Sequence, residues 1–406
     1  MANLQTQTPD LSGRAFNSTK VVWAMAFMSM VATLLVNGMP VVIGTLGDAY
    51  AIPNDQLGLL ASAFLVGQFV TVCSSLFWIR RADWQRISLI GMGCSLVPLV
   101  TLILHPSHAA FLVSLLLLGA TTACFYMPVL AYWSDVDDPA RAISIGILLQ
   151  VAGASFFMFA MPAWFVPAWG VKGLVSFLIG AMVLNLLLIP LIPKSGRAST
   201  ADRETAELPK VHAWQAAFLP LAGLTVMAFY YVGLFGLWAF LERIGTAGGL
   251  SQEATASALS ISLLAGTSAV VVTSIVGHRF GYMRPMILSG ILYGLFLLFM
   301  SSVKTFPLFM TALVLFNLAW NGALPYQIGI IAKSDTAGRY FVLLPAFQAA
   351  GAAAGPYVAG LLSVDHSYTR IYFVFIASVA VSFVGYALIA ARLRSLQSMR
   401  PLGAEA

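Results

Sequence analysis

Two glutamines occupy matching places in two related segments of this 406-residue chain. Asp137 to Ala154 reads DDPARAISIGILLQVAGA, and Asp335 to Ala352 reads DTAGRYFVLLPAFQAAGA. Each has Asp, three residues, Arg, eight residues, Gln, one residue, then Ala-Gly-Ala. An amide donates and accepts hydrogen bonds but is a poor acid, base or nucleophile, so Gln150 and Gln348 suit recognition of a polar solute. The competing use is a hydrogen bond between helices. Helical spacing supplies companions. Tyr231, Phe235, Trp238 and Glu242 fall on one face, and Asn37, Val41, Gly44 and Asp48 fall at the same intervals. Asn317 and Asn321 lie a turn apart beside Trp320, with Pro325 and Gln327 beyond, and Tyr126, Leu130 and Trp133 share a face. Rings and amides together fit a neutral or amphipathic organic molecule, or a monoanion held by amides and hydroxyls; a single aromatic stripe can equally be packing. Glu242 and Asp48 are the carboxyls nearest this set and could carry a proton.

Bond-making chemistry has no such support. His105, His108, His212, His278 and His366 lack metal-ligand spacing, and Cys73, Cys94 and Cys124 read as reduced packing residues. No nucleophile–base arrangement or phosphate loop stands out, so no cofactor, metal or enzymatic reaction is expected.

The elements that must position these side chains follow from composition. The chain is 60% hydrophobic and 9% charged, against about 25% charged for a soluble domain. Twelve apolar runs approach or exceed the ~20 residues that span hydrocarbon: 21–46, 57–79, 87–104, 108–133, 142–166, 170–192, 214–241, 252–277, 285–303, 306–331, 340–363 and 370–391. Backbone groups in hydrocarbon must bond internally, which leaves helices or a closed barrel, and these runs lack the alternation of barrel strands. An all-α protein of twelve membrane helices results. With the amino terminus cytoplasmic, only Lys172, Arg243, Lys304 and Arg370 of the 21 Lys and Arg face outward. That enrichment puts both termini on the cytoplasmic side, and a bacterial-type inner membrane is the expected location. The net charge of +6 then reflects topology and gives no support to nucleic-acid binding. The polar first 20 residues show no removable signal.

The repeated segments fall where helices 4 and 10 give way to 5 and 11. Pro128 and Pro325 are expected to end helices 4 and 10, and Asp48 and Glu242 to end helices 1 and 7, at nearly the same offset. The chain divides into a tail (1–20), a six-helix bundle (21–192), a hydrophilic joint (193–213), a second bundle (214–391) and a tail (392–406). Six plus six helices fit a secondary transporter whose site lies at mid-membrane between the halves. Nine residues beyond each Arg is ~13 Å into a ~30 Å core, so Gln150 and Gln348 are expected there. The small residues after each Gln permit close helix approach.

The segment SIVGHRFGYMR, Ser274 to Arg284, is similar to the Gly-x-x-x-Asp-Arg-x-Gly-Arg-Arg signature of the major facilitator superfamily. Arg279 and Gly281 match, while His278 and Ser274 stand where the acid and first glycine usually are. The corresponding SLFWIRRADWQRI keeps Arg80, Arg81 and Arg86. With twelve helices and a long central loop, the chain resembles that family along nearly its whole length. The resemblance implies two pseudo-symmetric bundles rocking about a central site. The pairs Asp137–Arg141 and Asp335–Arg339, each able to close over one helical turn, join Arg279 and Gly281 as expected parts of a cytoplasmic gate. Asp48 and Glu242, at the outer ends of their stripes, are the expected proton-coupling groups. Segment 155–162, SFFMFAMP, lacks the Gly-Pro motif of the family's drug/proton antiporters. The expectation is therefore a monomeric carrier of a small organic solute, with efflux of hydrophobic compounds as the alternative. A sensor with the same fold would be expected to carry an added soluble domain.

Overall fold

Proline and glycine placement decides the shape of the first membrane helix. Pro40 has no amide to bond back to Val36, and the helix breaks at Gly38 into Thr19–Asn37 and Met39–Tyr50, together α1. Gly38 lies against the Phe157 ring, where a Cβ would overlap it. The computed structural model describes residues 16–196, 213–277, 279–300, 305–335, 340–363 and 368–398. Beyond α1 come α2 (Asn54–Trp78), α3 (Trp84–Leu104), α4 (His108–Asp135) and α5 (Pro139–Ala160, continued through a π turn, Met161–Phe165, to Val166–Trp169). Then follow α6 (Val171–Leu186), α7 (Ala213–Ala247), α8 (Gln252–Val276), α9 (Met283–Met300), α10 (Phe306–Ser334), α11 (Leu344–Leu362) and α12 (Thr369–Ser398). Twelve spans among the described residues are long and apolar enough to cross a membrane. The chain is a multi-pass membrane protein.

Side-chain caps start several of these helices. Asp83, Ser107, Asp138 and Ser251 accept hydrogen bonds from the amides of Arg86, Ala110, Arg141 and Ala254, relieving donors that a helix start leaves orphaned. Helix ends differ from the sequence expectation in two pairs. Pro128 and Pro325 lie inside α4 and α10, which run on to Asp135 and Ser334. A membrane helix tolerates internal proline because neighbours satisfy the freed backbone groups. Glu242 also lies inside its helix, since α7 continues to Ala247, and α1 continues past Asp48 to Tyr50.

Packing repeats between the halves. In the first half α1 packs on α5, α2 on α4 and α3 on α4; in the second α7 packs on α11, α8 on α10 and α9 on α10. Glycines set the closest approaches. Gly67 and Gly119 bring α2 and α4 backbone to backbone, and Gly351 and Gly355 seat α11 on the α7 backbone at Ala228 and Val232. The Ala-Gly-Ala after Gln348 therefore serves helix approach, as expected. Its counterpart Gly153 instead receives the Met30 side chain of α1. Apolar side chains such as Val70, Phe77, Val97 and Leu388 point outward, onto the surface that hydrocarbon covers.

The halves meet along α2 with α11, α5 with α8, and the second piece of α1 with α7. The first two seams are symmetry mates, because the offset that takes Asp137 to Asp335 takes α2 to α8 and α5 to α11.

Candidate functional site

The seams concentrate at one face, opposite the face that carries the described chain ends Phe16 and Ser398. These are called here the far face and the terminal face. On α2 and α11, Gly58 lies against the Pro356 carbonyl and Gly360, and a Cβ on Gly360 would sit 3.0 Å from the Asn54 and Asp55 carbonyl oxygens. Pro356 lies inside α11; beside it, the Tyr357 amide donates across the seam to Ser62 Oγ at 2.8 Å. On α5 and α8, Ser155 Oγ donates to the Ser260 carbonyl at 3.1 Å, and Ser260 Oγ donates back to the Ser155 carbonyl at 2.8 Å. Ser62 and Ser260 are related by the same offset as the repeated segments, so one symmetry-paired serine tethers each seam.

The third seam holds the charges. Asp48 accepts from the Arg243 guanidinium, and Gln252 Nε2 donates to its other oxygen at 3.5 Å. The Asp48 side chain is 53% exposed and that of Arg243 17%. Glu242 is 1% exposed and packs against Gly44, where a Cβ would overlap the carboxyl. Neither carboxyl oxygen of Glu242 has a hydrogen-bond partner among the described residues. The two sequence stripes of α1 and α7 thus face each other here: Gly44 meets Glu242, and Asp48 meets Arg243. Asn54 Nδ2 donates to the Tyr368 hydroxyl at 3.3 Å behind them.

Toward the middle of the helices, five of the eight expected binding residues are half-buried and a sixth, Tyr231, is buried. Gln150 on α5 reaches the Tyr126 hydroxyl of α4 at 3.5 Å. Gln348 on α11, Asn37 at the α1 break and Asn321 on α10 are half-buried, and Asn321 Nδ2 donates to the Asn317 carbonyl at 2.9 Å. Tyr231 stacks on Phe235 with ring centroids 5.4 Å apart, and Trp320 meets Phe235 edge-on at 5.8 Å. The remaining two expected residues are more deeply buried. Trp238 is 2% exposed and stacked on Phe316 at 6.2 Å. Asn317 is fully buried, and its amide donates to Ser262 Oγ at 3.1 Å. Asn317 is a tie between α8 and α10, and Trp238 packs α7 on α10.

The terminal-face ion pairs also differ from expectation. Asp137 lies two residues before α5, and it is Asp138 that caps the helix through the Arg141 amide. Asp137 instead exchanges two hydrogen bonds with Asn17, at 2.6 and 3.0 Å, holding the amino-terminal segment on the α4–α5 turn. Asp335 Oδ2 accepts from the Tyr340 and Phe341 amides at 2.7 Å each, stapling the entrance of α11. Arg339 lies outside the described residues. Arg279 is exposed in the α8–α9 turn, and Gly281 has φ +71, a backbone shape that favours glycine. In the matching turn of the first half, Arg80 pairs with Asp135 at 2.6 Å.

Sequence reading missed the seam residues Ser62, Ser155, Ser260, Gly58 and Gly360. The repeat offset connecting Ser62 with Ser260 was a usable signal; a serine in an apolar run otherwise announces nothing.

The sequence model of the Major Facilitator Superfamily matches residues 23–335. The crystal structure of the nucleoside transporter NupG superposes with TM-score 0.71 at 10% identity, covering 91% of this chain and 99% of that chain. A bacterial homologue of the human lysosomal transporter Spinster, in an inward-facing and unoccupied conformation, superposes with TM-score 0.62 at 14% identity, covering 97% and 98%. At such identities the likeness is one of fold. No curated protein matches the chain.

Proposed function

The chain belongs to the Major Facilitator Superfamily, and on that premise we propose that it is an alternating-access carrier of a small neutral, amphipathic or monoanionic organic solute, held here in its inward-facing state. The observation that carries this reading is the seam geometry. All three contacts between the halves tighten at the far face, while Tyr126, Gln150, Asn321 and Gln348 are half-buried in the interior. A solute bound between the halves would meet two symmetry-related amides, a phenol and the Tyr231–Phe235–Trp320 rings. The amides orient it, and the rings supply apolar area and exclude water. With no cation among these groups, multiply charged anions have no partner there.

The Lys and Arg distribution supports a cytoplasmic terminal face; on this reading the protein sits in an inner membrane and acts as a monomer that moves its solute without transforming it. Glu242 is the coupling group. Its carboxyl is buried against Gly44 and, among the described residues, has no hydrogen-bond partner while the far face is closed; opening that face would bring water to it. Asp48 assists by holding Arg243. Ligand screening by thermal shift, followed by counterflow in proteoliposomes, tests the reading. Hits should exchange across the membrane, and Gln150→Ala or Gln348→Ala should accumulate normally yet lose most exchange. Full exchange by both variants would reduce the amides to ties between helices.

A further inference from the structure

We propose that the second half carries a binding site for one anionic phospholipid, built from a basic pocket at the terminal face and an apolar groove that continues it into the membrane. The pocket, about 620 Å³, lies between the α8–α9 turn and the ends of α10 and α12. Arg284, Lys333 and Arg394 line it with no carboxylate, and among the described residues none of the three has an ion-pair partner. Lys333 rests over the Tyr282 ring, 4.7 Å from its centroid, which holds the ammonium in place without neutralising it. The groove, about 470 Å³, runs between α8, α9 and α10; each volume falls within the roughly 300–1,000 Å³ of small-molecule sites. Phe280 and Arg284 belong to both cavities, so the two meet at the depth where headgroup gives way to chain.

The groove walls are apolar over their length, from Arg284 past Leu288 to Leu292 on α9 and along Ala269, Val272 and Val276 on α8. That run is ~12 Å of helix, room for part of an acyl chain. Gly322 keeps the α10 side low, its missing Cβ leaving Ser289 Oγ as the nearest neighbour at 3.3 Å.

Comparison of the halves supplies the charge argument. In the first half, Arg80 of the corresponding turn is neutralised by Asp135. The offset that takes Asp137 to Asp335 takes Asp135 to Lys333. The second half has thus exchanged the neutralising acid for a third cation, and a net-positive pocket opening at a membrane surface selects an anionic headgroup. The site lies outside the proposed solute site, so it stands or falls separately from the transport reading.

Native mass spectrometry of the detergent-purified full chain, titrated with phosphatidylglycerol, phosphatidylcholine or inorganic phosphate, tests this. One phosphatidylglycerol should be retained in preference to phosphatidylcholine, and inorganic phosphate should not displace it. Arg284→Gln, Lys333→Gln and Arg394→Gln should each weaken retention roughly fivefold, as about 1 kcal/mol per interfacial cation implies. Arg392→Gln, outside the pocket on the same helix, should change nothing. Ala269→Phe should weaken retention with every charge intact, because the chain loses its groove. Equal retention of the two lipids, displacement by phosphate, wild-type retention by the triple Gln variant, or indifference to Ala269→Phe would each overturn the proposal.

Discussion

Substituting Gly58 by valine should turn this carrier outward. Gly58 packs on the Pro356 carbonyl and on the backbone of Gly360, so a side chain there meets main chain, which cannot rotate away. Overpacking of this kind costs about 1–3 kcal/mol. The cost falls only on the state whose far face is closed, because opening that face separates α2 from α11. A differential of that size shifts the balance between the two states by about 5- to 150-fold toward the outward-facing one. Ser62, one turn further along α2 and 5% exposed, reports the shift. In a background with Cys73, Cys94 and Cys124 replaced by serine, Ser62→Cys should react slowly with a membrane-impermeant maleimide added from the far side. Adding Gly58→Val should speed that reaction within the same range. An unchanged rate in protein that accumulates normally would mean that the α2–α11 contact does not gate the far face, and the inward-facing assignment would fall.

Glu242→Gln should abolish stimulation of uptake or exchange by a proton gradient while leaving counterflow intact, with Asp48→Asn having the smaller effect; gradient stimulation that survives both removes the far-face carboxyls from coupling. Arg243→Gln breaks a half-exposed pair, and such pairs contribute about 0.2–1 kcal/mol, so far-side labelling at Ser62→Cys should rise no more than severalfold. Asp335→Ala deletes two charge-assisted bonds to backbone amides, at about 1.5–3 kcal/mol for bonds to a charged group. Its thermal melting should fall while the solute affinity of surviving protein holds.

Apolar run length made the twelve spans readable, because hydrocarbon permits so few backbone solutions. Rise per residue converts sequence distance into depth, which is what set the expectation for Gln150 and Gln348; both are half-buried on repeat-related helices. Side-chain direction was less legible. Asn317 and Asn321 share a helical face and both lie against Gly266 of α8, yet Asn317 is fully buried on Ser262 while Asn321, a turn along, is only half-buried. Asp137 and Asp335 were expected to do the same work. One bonds Asn17 and the other holds the Tyr340 and Phe341 amides, since α5 starts two residues after its Asp while α11 starts nine residues after its own. The serine tethers were hard to see because their partners are backbone groups, an amide for Ser62 and carbonyls for Ser155 and Ser260, which carry no side-chain signal.

Reciprocity of the two faces tests the central claim most directly. Spin labels at Asp55 and Leu361 report the far-face ends of α2 and α11, and labels at Phe77 and Val342 report their terminal-face ends. Distances from pulsed electron resonance in the Cys-free background, with and without Gly58→Val, should move oppositely. The Asp55–Leu361 pair should lengthen as the Phe77–Val342 pair shortens. Lengthening of both pairs, or of neither, would contradict an alternating-access carrier closed at its far face.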